Sequence, residues 1–143
     1  MMSKSDRTAR LFHLHELVLQ QAVARQKNAA NVLQEQNAVL AQLQSGIENL
    51  DQDQPALSRT GHEALLWHYY FGLLQEQKIQ QTATVVGQTE VVERFRQQTT
   101  LAYQDAKRWE IHHEQTIETI VSERDKYDLR QADDLAVSRT KPI

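Results

Sequence analysis

The sequence predicts an all-α fold: an antiparallel two-helix coiled-coil hairpin whose second helix is the longer. Three observations predict it. Helix breakers are scarce, with four Gly and two Pro among 143 residues, and Gln, Ala, Leu and Glu dominate, a bias that fits long helices better than sheets. From Phe12 an apolar heptad pattern can be followed without a skip. Finally, Pro55 is the only proline before position 142, and a proline inside a helix removes a backbone donor and clashes with the preceding turn. One break joining two helices is the simplest reading.

The first helix is expected over about residues 5–50. Ser3 or Ser5 can cap it, with Asp6 near its positive end. The a positions of its seam are Phe12, Leu19, Gln26, Leu33, Leu40 and Ile47; the d positions are His15, Ala22, Ala29, Gln36, Leu43 and Leu50. Nine of these twelve are apolar, which marks a coiled-coil helix. The g positions Leu11, Val18, Val32 and Val39 widen the stripe, as expected of a helix that meets more than one surface. The seam's middle (Ala22, Gln26, Ala29, Gln36) is small and polar and should pack more weakly than its ends. At ~1.5 Å per residue such a helix spans roughly 70 Å.

The turn is expected over 51–60, the stretch DQDQPALSRT. Thr60-Gly61-His62-Glu63 then has the form of a capping box. The second helix is expected over about 61–137, the whole chain forming a single hairpin. Its seam reads Trp67, Phe71, Leu74, Lys78, Gln81, Val85, Gln88, Val92, Phe95, Thr99, Ala102, Ala106 and Trp109. Beyond it, Ile117, Ile120, Val121, Tyr127 and Leu135 call for a skip near His113. Gly72 and Gly87 each weaken the helix by ~1 kcal/mol relative to Ala, and mark either a bend or a close backbone approach.

With the fold-back near 55–60, Ser5 faces roughly 105–115, and the end of the second helix has no partner within the chain. The composition changes there too. Residues 11–50 carry five charged side chains and residues 107–141 carry fifteen. Apolar Ile117, Ile120, Val121, Tyr127, Leu129 and Leu135 persist among them, candidate contacts for another protein.

Catalytic chemistry is not visible. No phosphate-binding glycine loop and no nucleophile elbow occurs, and carboxylates lie on helix surfaces with nothing to enclose a pocket. Helical metal pairs need i,i+4 spacing. His13 and His15, and His112 and His113, diverge instead, and His62-Glu63 lacks the second histidine of a zinc protease. No enzyme, metal or cofactor is expected. A net charge of −3 gives no footprint for nucleic acid. There is no cysteine, which suits a cytoplasmic protein. The Ala64–Leu74 stretch falls short of the ~20 apolar residues of a membrane span, and the N-terminus has no signal-peptide pattern, so membrane association is peripheral at most. The aromatic group Trp67, Tyr69, Tyr70 and Phe71 either packs the end of the hairpin or forms a docking patch; four successive positions cannot all face one partner.

The layout resembles the FliJ/YscO family, stalk proteins of flagellar and virulence type III export ATPase complexes. The opening Leu11-Phe12-His13-Leu14-His15-Glu16-Leu17, with Ala22 and Arg25-Gln26, is similar to that family's first-helix start. Trp67–Leu74 resembles the start of its second helix. Ser122-Glu123-Arg124-Asp125-Lys126-Tyr127-Asp128-Leu129, with Asp133-Asp134-Leu135-Ala136, resembles its charged tail. The resemblance implies a non-enzymatic rotor-like or bridging stalk, similar to the central coiled coil of rotary ATPases. It would sit in the cytoplasm at the inner-membrane export apparatus. Arg124, Lys126, Tyr127 and Arg130 become candidates for binding a hexameric secretion ATPase, and Tyr70, Phe71 and Leu74 for binding an export-gate protein. Secretion chaperones join the implied partners. Two other readings stand beside it: an oligomeric coiled-coil scaffold that buries the g stripe against a second copy, and a helical metalloenzyme, which the histidines raise and their spacing lowers.

Overall fold

A computed structural model describes the backbone of residues 3–57 and 61–140 and the side chains of residues 3–52 and 61–139. Two helices, α1 (Lys4–Leu57) and α2 (Gly61–Thr140), pack against each other, and no strand occurs among the described residues. The fold is the expected all-α hairpin with the longer second helix. Ser3 caps α1: its Oγ accepts from the Asp6 N–H at 3.1 Å and its carbonyl from the Arg7 N–H at 3.1 Å. Asp6 then sits in the first turn, against the positive end of the helix.

The expected end of the first helix at residue 50 is corrected, because α1 runs through Pro55 to Leu57. Pro55 therefore lies in the last turn. The carbonyl that loses its donor belongs to Asp51, which is exposed, so water can satisfy it and the helix need not stop before the ring. The turn expected over 51–60 shrinks accordingly. The capping box rests on Thr60, which lies outside the described residues.

The chain divides into two compact units. One joins residues 22–99; the other joins the segment up to Gln21 with that from Thr100 onward.

In the 22–99 unit the seam is built from the residues that the heptad pattern names. Ala29 and Trp67 are buried, and Gln26, Leu33, Gln36, Leu40, Phe71, Leu74, Gln81 and Val85 are half-buried. Its polar positions are bonded rather than merely tolerated. Gln88 Nε2 donates to the Ala29 carbonyl at 3.0 Å, and Gln81 Nε2 donates to the Gln36 carbonyl at 2.9 Å and to Gln36 Oε1 at 2.7 Å. Donors and acceptors are each one heptad apart, running in opposite directions, so the two bonds fix the antiparallel register. Trp67 Nε1 donates to the Leu50 carbonyl at 2.6 Å. A buried amide or indole N–H needs such a partner, since leaving one unmade costs ~1–3 kcal/mol.

In the other unit, Ala102 and Ala106 are buried, and His15 stacks on Trp109 with ring centroids 5.7 Å apart. The α2 seam continues past Trp109 in the same register: His113 is half-buried and Thr116 buried. The expected skip near His113 is thus corrected. Ile117, Ile120 and Val121 are all exposed. The register holds because a polar pair takes the next layer. Thr8 is buried, and its Oγ1 lies 2.8 Å from His113 Nδ1. Thr8 Oγ1 also donates to the Ser5 carbonyl at 3.0 Å, which leaves His113 Nδ1–H as the donor to Thr8.

Neither glycine expected to mark a special site is crowded. A Cβ at Gly72 or Gly87 would meet nothing within 4 Å, and no glycine has positive φ. Close approach within the chain is excluded there. The core is thin: among the described residues no large side chain is fully buried, and the chain exposes 11246 Å². A monomeric globular protein of 16.6 kDa exposes about 7,600 Å².

Candidate functional site

Two surfaces hold the residues singled out by sequence, one on each unit. The first lies near the start of α2. Successive residues turn by ~100°, so Trp67, Phe71 and Leu74 fall on one side and Leu65, Leu66, Tyr69, Tyr70 and Leu73 on the others. The Trp67 ring stacks on Phe71, centroids 4.8 Å apart and 13° from parallel. Leu74 Cδ1 lies 3.7 Å from where a Cβ on Gly46 would stand. Phe71 and Leu74 are therefore seam residues, half-buried against α1. Of the three export-gate candidates only Tyr70, 54% exposed, offers a free ring face.

Sequence reasoning overlooked Leu65, Leu66, Tyr69 and Leu73 as site residues, all exposed. Tyr69 and Tyr70 meet edge-to-face with centroids 5.8 Å apart. The signal was present: once Trp67, Phe71 and Leu74 are assigned inward, helical spacing turns these four outward.

The second surface is the end of α2. All residues from 117 to 139 are exposed, and among the described residues no hydrogen bond or ion pair joins residues 117–135 to α1. Where α1 begins, an open groove is lined by Lys4, His112, Gln115, Thr116, Thr119, Ile120 and Glu123. Carried forward, the α2 heptad puts Ile120, Glu123, Tyr127, Arg130 and Asp134 in line with the packed seam. Tyr127 and Arg130 thus continue that line, with Arg124 beside it. Lys126 is turned away, and the four candidates spread over about 160° of the helix at ~100° per residue. None of Arg124, Lys126 and Arg130 forms an ion pair, and the attractive spacing of Glu123 and Lys126 is not used. The ion pairs in this unit are Lys107–Glu110 at 3.1 Å and Arg108–Asp105 at 3.8 Å. Lys107 is held above its usual pKa, first by its hydrogen bond to Glu110 and then by that carboxylate's charge.

Of the histidines, His15 and His113 are bound into the seam, and His112 and His68 lie edge-on to Trp109 and Trp67. Among the described residues no group of three His, Asp or Glu side chains is arranged to hold a metal ion. No helix is long and apolar enough to cross a membrane, among the residues described. What both surfaces can do chemically is bind: one through aromatic and aliphatic side chains, the other through cations, carboxylates and one tyrosine on a single exposed helix.

Comparison with protein families, curated proteins and solved structures finds no match for this chain.

Proposed function

We propose that the chain is a non-enzymatic central stalk of a type III secretion export apparatus, which binds the hexameric export ATPase and bridges it to the export gate. The observation that carries this reading is the end of α2. A helix that continues past its partner strand of coiled coil, with isoleucine, tyrosine and arginine exposed, is a poor use of apolar side chains unless another protein covers them. Arg124 and Arg130 supply planar donors for carboxylates. Tyr127 supplies a ring of the kind that anchors interfaces, and Lys126 a charge on the adjacent face. Tyr70 is the residue proposed for the export gate, with Leu66 and Leu73 beside it; Phe71 and Leu74 support it from the seam. The resemblance in the opening, the aromatic stretch and the charged tail supports the same assignment.

The test is purification of the tagged full chain with a hexameric secretion ATPase, followed by measurement of ATP hydrolysis. The reading requires a stable complex and a changed hydrolysis rate. Absence of both would count decisively against it.

A further inference from the structure

In an antiparallel pair the g positions of both helices flank one side of the seam and the e positions the other. Within the 22–99 unit these sides differ. On the e side lie Ala30, Asn37 and Gln44 of α1 and His68, Gln75, Thr82, Thr89 and Arg96 of α2, with Val23 the one large apolar residue. On the g side lie Val32 and Val39, 40% and 43% exposed, and Tyr70. Leu66 and Leu73, one helical step further round, extend the same side. This unit therefore has one apolar flank and one polar flank, which a lone hairpin does not need.

From this asymmetry we infer that the g-side flank of the 22–99 unit seats a second copy of the same chain, related by a two-fold axis. Two observations select that occupant. The first is area. The chain exposes 11246 Å², roughly 3,600 Å² more than a monomer of its mass. A standard interface covers about 800 Å² per partner, so the excess accommodates one comfortably. The second is charge. Glu35 and Arg25 lie on the same stripe of α1 as Val32, both exposed and neither in an ion pair. In a two-fold interface residue i meets j and j meets i. An axis midway between positions 25 and 35 sets Glu35 of each copy against Arg25 of the other, and Val32 beside its own counterpart. The stripe is thus complementary to itself in the antiparallel sense. This inference stands apart from the stalk reading, because it concerns copies of one chain and is read with no other protein present.

The experiment is sedimentation equilibrium of the full chain, with E35R, R25E and the combined E35R/R25E. The wild type should sediment at micromolar concentration as twice 16.6 kDa. Either single reversal sets like charges together twice and should weaken the dimer by about tenfold or more. The combined variant should restore it. Both positions are exposed, so far-UV circular dichroism should read the same helix content throughout. A monomeric wild type overturns the inference. So does a dimer that neither reversal weakens, or a combined variant weaker than both singles.

Discussion

The two units close the same kind of seam with different chemistry. In the 22–99 unit the polar positions reach across to backbone: Gln81, Gln88 and the Trp67 indole each donate to an α1 carbonyl. In the other unit small residues and rings take over, with Ala102 and Ala106 buried and His15 on Trp109, and the single polar crossing joins two side chains. A seam can thus be polar and still specify register, provided each buried donor finds an acceptor. Past Thr116 the heptad line continues with nothing opposite it, and the pattern becomes a binding surface instead of a core.

The largest expected effect from disturbing this contrast is at Trp67. Trp67→Ala removes a buried ring, its stack on Phe71 and the bond to Leu50, and should destabilise by ~3–5 kcal/mol, read as a lower urea midpoint. In the other unit Ala106→Leu should cost ~1–3 kcal/mol by overpacking. Gln81→Ala should cost ~1–2 kcal/mol, as the Gln36 side-chain oxygen loses its donor. The pair Gln36→Leu with Gln81→Leu should recover that loss. A sharper loss from the pair than from Gln81→Ala would show that the glutamines set the register. Gly87→Ala, open on every side, should raise stability by up to ~1 kcal/mol.

The smallest effect belongs to the surface pair Arg96–Glu93. The Arg96 hydrogen bond, foremost, holds the Glu93 carboxyl below its usual pKa. A depressed carboxylate stabilises above its ordinary pKa, and the contribution fades as pH falls through the folded value. Both groups are solvated, so Arg96→Ala should leave the thermal midpoint unchanged. The Glu93 titration followed by NMR should nonetheless move up toward the ordinary carboxylate range.

How far the sequence was legible follows from the same chemistry. Each of the twelve seam positions assigned to α1 is buried or half-buried, because nine are apolar and their spacing alone identifies them. The first layer, Ser5 and Thr8 against His113, was not legible: hydrophobic periodicity has no signal for a hydroxyl that packs by bonding an imidazole. The same gap made the α2 register seem to skip. Proline chemistry overstated the break, since it gives the cost of Pro55 but not how close the helix end can stand. At the aromatic group, Phe71 and Leu74 belonged to the assigned seam, and that assignment already conflicted with their use as gate contacts.

The central claim is that the exposed end of α2 is the part that engages the export ATPase. The most direct measurement compares ATP hydrolysis by the hexameric ATPase in the presence of the full chain and of a chain ending at Thr116. The shortened chain keeps every seam residue, so its melting midpoint should stay near that of the full chain while the effect on hydrolysis disappears. A shortened chain that alters hydrolysis as strongly as the full one would contradict the claim.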